Sequence, residues 1–472
     1  MHRPIATILI LIAILFNSPS LALSQDKPAY PPPPPPTSQE NLGAGVQRTM
    51  TLLATSTPQH RNKVRILVYG QSISEQDWWK RLADDLRKRF PNADLEIENR
   101  AIGGFASQML IFPAEHDLYP FYPDLLIFHV YGANQQYEQI IRSTRSRTTA
   151  EVLVQKDHVT RWPPDVPDEK ADKGMWWDHM MNNVFLPDIA RKYACALCDI
   201  RSPWLEYLKA NKLQPKALLK DDVHLNDHGN NLMAALIGRY LVHRPDLPDD
   251  PWKDLVRTAE VANDLSWQNG KLLLEFEGNR VDLLAAQTTN PSAQARVLID
   301  GIKPSQFPGC YRITRPSPGP WSPLTVARID HDAPLVIEDW TLRITSVGND
   351  GKQWAFEVAG SITGPDGDGS NEKTFVSKSG RVKIEPAAFF RAGEVTVGYE
   401  IKWKVLPMFV DTYQAMKADD PAREYATTVA QGLPNEKHTL ELVADGPSPP
   451  PIRAIRICRP PVRPEPPPTP KP

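Results

Sequence analysis

From residue 64 the chain alternates short apolar runs with amphipathic stretches. Residues 64–69 form a nearly continuous apolar run, which predicts a buried strand, and 75–90 carry Trp78, Leu82, Leu86 and Phe90 at a spacing of four, which predicts a helix. Leu95 and Ile97 alternate with polar residues over 94–99, a second strand. Residues 124–130, 151–155 and 193–200 predict a third, fourth and fifth strand, separated by stretches compatible with helix. A helix over 226–241, with Leu232, Leu236 and Tyr240 on one face, ends the series. Strands alternating with helices predict a mostly parallel sheet covered by helices, an α/β domain over 61–246.

Beyond Pro251 the helical periodicity nearly stops. Residues 271–276, 295–299, 340–346, 354–363, 373–384, 394–405 and 438–443 read as strands with turn residues between them, which predicts an all-β sandwich over 255–460. A helix is admitted within 408–430. The Asp-Gly pairs of 366–371 favour a hairpin turn over a calcium loop, because the downstream glutamate such a loop needs is missing.

The two ends differ from this body. Residues 5–16 are an unbroken apolar run behind His2 and Arg3, with small residues at Ala22 and Ser24, so 1–24 read as a secretory signal peptide. Twelve apolar residues are too few to cross a bilayer, and no later segment is longer; a mature protein without a membrane span, secreted or periplasmic, is expected. Six consecutive prolines at 31–36 predict a polyproline II spacer within a linker over 25–60, and 461–472 form a proline-rich tail. The chain has 48 prolines, of which seven lie in 28–36 and twelve in 447–472. The excess therefore belongs to the ends and does not argue against globular domains between them.

A net charge of −2 without a long Lys/Arg run disfavours nucleic acid as a partner, since such binding needs concentrated positive charge. Four cysteines exclude a disulfide-dense scaffold. Cys195 and Cys198 are badly spaced for a bridge along a strand, whereas Cys310 and Cys458 are candidates to pin the ends of the β region in an oxidising compartment.

Chemistry concentrates where the first α/β strands end. Gly70-Gln71-Ser72 places a serine hydroxyl at a strand-to-helix turn, on the carboxyl edge where parallel sheets bind ligands. Helix capping alone would explain such a serine. The second strand leads into Asn99-Arg100-Ala101-Ile102-Gly103-Gly104 and the third into Tyr131-Gly132-Ala133-Asn134. Both loops open on the same edge, offering a close-approaching backbone N–H and a side-chain amide to a developing oxyanion. After the fifth strand comes Asp221-Asp222-Val223-His224, where a carboxylate three positions ahead can orient a histidine as general base. Asp221, Asp222, His224, Asp227 and His228 also crowd as a metal cluster would, but no second cluster with ligand spacing accompanies them, so neither metal nor cofactor is expected.

Taken as a set and in this order, the four segments resemble the SGNH/GDSL hydrolases, whose blocks are a Gly-Asp-Ser turn, a glycine loop, a Gly-x-Asn-Asp loop and an Asp-x-x-His. The likeness covers about 63–245. It implies a flavodoxin-like three-layer α/β/α domain, with Ser72 as nucleophile, His224 as base and Asp221 as its orienting carboxylate. Asp222 takes that last place if the loop shifts by one. Implied oxyanion donors are Ser72, Gly104 and Asn134; Gly104 is preferred to Gly103 because it falls five residues after Asn99. Gln71 and Gln135 stand where the family carries aspartates, at positions that supply no catalytic atom. In the β region, Phe276-Glu277-Gly278 and Leu298-Ile299-Asp300-Gly301 resemble the jelly-roll modules of carbohydrate esterases, though without any site.

The reading that follows is a carboxylic ester hydrolase releasing acyl groups, acetyl above all, from a polysaccharide or oligosaccharide. Its rivals are a lipid-acting esterase or thioesterase, and a non-catalytic polysaccharide-binding protein. His129, His158, Trp176, Trp177 and Tyr137 are further residues within reach of the active edge. Buried packing explains the histidines and aromatics as well as a role in catalysis or a sugar-stacking rim does.

Overall fold

The computed structural model describes residues 30–247, 253–286, 292–348, 350–417 and 420–463. The apolar runs form a parallel sheet of β1 (Lys63–Gly70), β2 (Asp94–Asn99), β3 (Leu125–His129), β4 (Glu151–Gln155) and β5 (Ala196–Cys198), in the order β2-β1-β3-β4-β5. This is the doubly wound order in which the chain reverses direction between β1 and β3, opening a crevice at their carboxyl ends.

Alternation along each strand divides the core in two. Val64, Ile66 and Val68 of β1 point into one cluster with α1 (Gln47–Ala54), α3 (Trp78–Arg89), α8 (Arg201–Ala210) and α9 (Asp227–Gly238). Leu67 and Tyr69 point into the other, with α4 (Ser107–Asp117), α5 (Asn134–Arg147) and α7 (Leu186–Lys192). Two helical layers thus sandwich the sheet, as the resemblance implied. The short α2 (Ser72–Glu75) follows β1 directly, and α6 (Lys173–Met180) precedes α7 through a π turn at Met181–Phe185.

Helix α1 corrects the expected linker over 25–60. Val46, Met50 and Leu53 form an apolar stripe that is wholly buried, and the carboxylate of Glu151 accepts the N–H groups of Arg48 and Thr49, each at 2.8 Å. The eight-residue helix is short enough to hide among proline-rich neighbours, and its cap comes from a residue about a hundred positions away. The expected signal peptide, 1–24, lies outside the described residues, as does most of the tail. Among the described residues no helix is long and apolar enough to cross a membrane.

The β region is antiparallel. A six-stranded sheet runs in the order Thr412–Gln414, Gln294–Ile299, Ala426–Ala444, Lys271–Ala285, Ile452–Cys458 and Val256–Glu260. A five-stranded sheet runs Gly364–Ser370, Trp354–Gly360, Asp339–Val347, Glu400–Pro407 and Tyr311–Ile313. Each carries its own apolar cluster. Three expectations are corrected here. The described part of 408–430 holds strand and loop in place of a helix. Residues 366–371 lie within a strand and just beyond it, the turn falling upstream, where Glu338 accepts the N–H groups of Ile362 and Thr363. Asp366 is buried and accepts from the Ser379 N–H and hydroxyl, which is why an Asp-Gly pair sits in a strand. Finally, Cys310 and Cys458 are unbridged, the former within the six-stranded sheet's cluster and the latter paired along Val256 and Arg280.

The described residues from Pro33 on belong to one compact unit, so the β region is joined to the α/β domain by more than its connecting chain. Asn279 accepts from the Tyr122 hydroxyl and donates to the Arg147 carbonyl, while Arg315 pairs with the buried Asp117. His116, at the end of α4, is fully enclosed at this joint. Its Nδ1 donates to the Ile313 carbonyl and its Nε2 accepts from the Ile329 N–H, both at 3.1 Å. Accepting requires a neutral ring, and burial lowers its pKa from 6.5 to about 4.

A stability prediction follows from that shift. Between pH 6.5 and 4 the unfolded chain binds a proton that the folded protein refuses, so stability is full above this window and falls as pH drops through it. The loss is about 3 kcal/mol when complete. Melting temperatures of wild type and His116→Gln are expected to differ most at pH 7.5 and to converge toward pH 4.5. Parallel curves would remove His116 as the cause.

Candidate active site

Ser72 is placed by backbone geometry at the end of β1. Any side chain at Gly70 would set a Cβ 1.9 Å from the His129 carbonyl oxygen, so only glycine lets β1 and β3 run this close before the turn. The same carbonyl accepts from the Gln71 N–H at 3.3 Å and the Ser74 hydroxyl at 3.2 Å, which closes the turn and leads Ser72 into α2. Gln71, at the position of the family aspartate, thus contributes its backbone to the turn.

The glycine loop is tied to that turn. Asn99 donates from Nδ2 to the Ser74 carbonyl at 2.6 Å and accepts the Ala101 N–H at 2.9 Å. Gly103 gives its N–H to Glu75 at 2.7 Å. That donor is therefore spent. Gly104 has φ +76, a conformation that suits glycine, and the Trp321 ring lies against it: a Cβ at Gly104 would fall 2.4 Å from Trp321 Cζ2.

On the other flank, Asn134 is the exposed first residue of α5. Its loop is braced by α4, where Ser107 donates its N–H to Tyr131 and its hydroxyl to Ala133, and Gln108 accepts the Ala133 N–H. Gln135 is exposed beside it.

The loop before α9 brings the remaining groups to Ser72. Asp221 folds back as a turn residue does: Oδ1 accepts the N–H groups of Val223 and His224 at 2.8 and 2.7 Å, and Oδ2 faces His224 Nδ1 at 2.9 Å. This explains the spacing of three, since one carboxylate both shapes the turn and orients the ring. These N–H donors, backbone first and the ring last, lower the Asp221 pKa from 3.8 to about 2. With Nδ1–H committed to the carboxylate, Nε2 is left to accept from Ser72 Oγ, 3.0 Å away.

The rest of the acidic cluster does not converge. Asp222 is almost fully exposed and pairs with Lys216, Asp227 pairs with Arg81, and His228 meets the Tyr207 hydroxyl. Among the described residues no group of three or more such side chains could hold a metal ion. Asn226 caps α9 by accepting the Gly229 N–H. Tyr137 is buried between Phe128 and Phe185, which takes it off the rim, while Trp177 stays exposed with its edge against Tyr131.

Three residues that the sequence did not single out, or left unassigned, hold the His224 loop. Gln76 accepts the Leu225 N–H at 2.8 Å, tying the loop to the serine turn. Buried beneath it, His158 faces the Asp157 carboxylate with Nδ1 and the Val223 carbonyl with Nε2, both at 2.8 Å. Both ring nitrogens of His158 therefore face oxygen atoms beneath the loop. Burial opposes the charge on Asp157, but the facing rings of His129 and His158 hold its pKa well below the usual range. No local motif announces the contacts of Gln76 with Leu225 and of His158 with Val223, because each joins segments dozens of residues apart.

Ser72 and His224 line a cleft of about 690 Å³ whose other walls are Glu75, Gln76, Asp77, Lys220, Leu225, Asn226, Asp227 and Asn230. Leu225 is the one apolar residue among those that line it.

No protein-family model matches the sequence, and no curated protein matches it closely. Among solved structures, similarity is found to a two-domain esterase active on acetylated mannans, at 15% identity and a TM-score of 0.35, covering 89% of this chain and 98% of that one. An acetylxylan esterase from Geobacillus stearothermophilus is similar at 17% identity and a TM-score of 0.33, over 39% of this chain and 96% of that one. An α/β hydrolase from the metagenome of Lake Arreo, Spain, is similar at 16% identity and a TM-score of 0.32, over 39% of this chain and 99% of that one. With likenesses this remote, function has to be read from the site's own geometry.

Proposed function

We propose that the protein is a serine-dependent carboxylic ester hydrolase that removes acyl groups, acetyl above all, from carbohydrate. The observation that carries this reading is the line of hydrogen bonds from Asp221 through His224 to Ser72, at 2.9 and 3.0 Å. In this mechanism Ser72 Oγ attacks the acyl carbonyl as His224 Nε2 takes its proton. The carbonyl oxygen becomes an oxyanion facing the Ser72 and Gly104 N–H groups and the Asn134 amide. Collapse breaks the ester bond, and the proton on Nε2 passes to the departing sugar oxygen. Water, deprotonated by the same nitrogen, then releases the acid and restores Ser72.

The hydrogen-bonding side chains around the cleft, Glu75, Gln76, Asp77, Lys220 and Asn230 among them, support a polyhydroxylated leaving group. The apolar run behind His2 and Arg3 supports secretion, where such substrates are met. Acetate release from 4-nitrophenyl acetate and acetylated xylan, by wild type and Ser72→Ala, is the test. Serine-dependent release from both supports the reading; a folded wild type that releases none from either sinks it.

The buried pair beneath the loop yields a second kinetic expectation. His158→Gln lacks the ring that spans Asp157 and the Val223 carbonyl, so Val223 and with it His224 lose a fixed support. The expected result is a fall in kcat of about 10- to 100-fold with KM changed less than threefold, since misplacing a base by an ångström has that scale of effect. A parallel loss of melting temperature and kcat that is recovered on cooling would make His158 a fold residue only.

A further inference from the structure

Trp321 stands out among the exposed apolar side chains. It belongs to the β region, in the loop between the strands Tyr311–Ile313 and Leu324–Val326, yet it touches the glycine loop of the α/β domain. Its indole N–H donates to the Gly103 carbonyl at 2.9 Å, and its six-membered ring lies on Gly104. Despite these contacts the residue is 66% exposed. Its φ is +69, an unfavourable conformation for a bulky side chain. The loop is firmly braced, with Ser317 and Lys402 exchanging backbone hydrogen bonds and Thr325 holding the Pro318 carbonyl. A strained backbone, a fixed indole orientation and a bare ring are together hard to explain by packing, which would have buried the ring.

The sheet order gives this position its meaning. Strand β1, which delivers Ser72, lies between β2 and β3. Trp321 stands over the loop that follows β2, and exposed Trp177 stands against Tyr131 in the loop that follows β3. Aromatic surface therefore stands over the loops on both sides of the strand that delivers the serine, while the cleft that Ser72 and His224 line carries polar and charged side chains beside Leu225. A ligand that is polar at its edges and has flat C–H faces suits that arrangement, which is the chemistry of a pyranose ring.

We propose that Trp321 is the platform on which a sugar ring of the acylated substrate stacks, so that the β region supplies part of the substrate site. This rests on the carbohydrate esterase reading above. Trp321 sets the preference for a carbohydrate ester over a small ester by holding the ring next to the scissile acyl group, and takes no part in bond making.

The test uses the full mature chain and partially acetylated xylo-, manno- and cello-hexaose alongside 4-nitrophenyl acetate. For Trp321→Ala, the ratio of kcat/KM on the best hexasaccharide to kcat/KM on 4-nitrophenyl acetate is expected to fall at least tenfold, mainly through KM. Trp321→Phe, which keeps a ring and loses the N–H, is expected to recover most of that ratio. An unchanged ratio in Trp321→Ala, or an equal loss on both substrates in both variants, overturns the proposal and leaves Trp321 as a brace for the glycine loop. If wild type hydrolyses 4-nitrophenyl acetate through Ser72 but none of the hexasaccharides, the carbohydrate reading itself fails and this role falls with it.

Discussion

Ser72→Ala is expected to lower kcat on 4-nitrophenyl acetate by about 10⁴-fold or more while leaving the melting temperature within a degree or two of wild type. The hydroxyl is half-exposed and hydrogen-bonds to His224, so the fold loses little when it goes. What disappears is the nucleophile aligned with that base. His224→Ala should cost about as much, and the double variant hardly more than either, because serine and histidine act as one unit and cannot be removed twice. A fluorophosphonate should label wild type on the peptide that contains Ser72 and fail to label either single variant. Additive losses in the double variant, or labelling that survives in Ser72→Ala, would mean that another group carries the chemistry.

The reason these residues could be read from sequence is that each lies in a short local pattern whose geometry is nearly closed. Asp221 reaches its histidine within one turn, and Ser72 follows a strand by two residues. The α/β strands were legible for a similar reason: β4, buried throughout, is a short apolar run and the edge strand β2 alternates, and both fall on the expected residues. The β region was less so. Its strands Val256–Glu260 and Ile452–Cys458 are mixed in polarity and gain their order from pairing, Ile452–Cys458 with Lys271–Ala285 and Val256–Glu260 with Ile452–Cys458. Asp366 looked like a turn residue because sequence cannot show that Ser379 waits to bind it. Helix α1 was hidden for the same cause, its cap being Glu151. Trp321, Gln76 and His158 meet the site across 218, 149 and 65 positions, and nothing in their own neighbourhoods reports it.

Asp221→Asn is the second large effect, and it separates two adjacent carboxylates that sequence left open. In wild type both oxygens of Asp221 accept, one from backbone N–H groups and one from His224 Nδ1–H. An asparagine can keep its carbonyl on the backbone donors, and the loop then survives. Its amide nitrogen, however, meets Nδ1 as a donor, so the ring moves its hydrogen to Nε2. That nitrogen then points a hydrogen at Ser72 and cannot take the serine proton. The expected fall in kcat is about 10³- to 10⁴-fold with KM nearly unchanged. With a pKa of about 2, Asp221 is ionised at any pH above about 4, so its own protonation adds nothing to the loss of activity on mild acidification. Asp222→Asn is the matched control: it changes the same charge one position along, on a side chain that pairs only loosely with Lys216 at the surface. Its kcat should stay within twofold of wild type, because a screened surface pair contributes little. Should Asp222→Asn show the large loss and Asp221→Asn the small one, the carboxylate that orients His224 in solution is the neighbour, and the loop is shifted by one residue from the arrangement described.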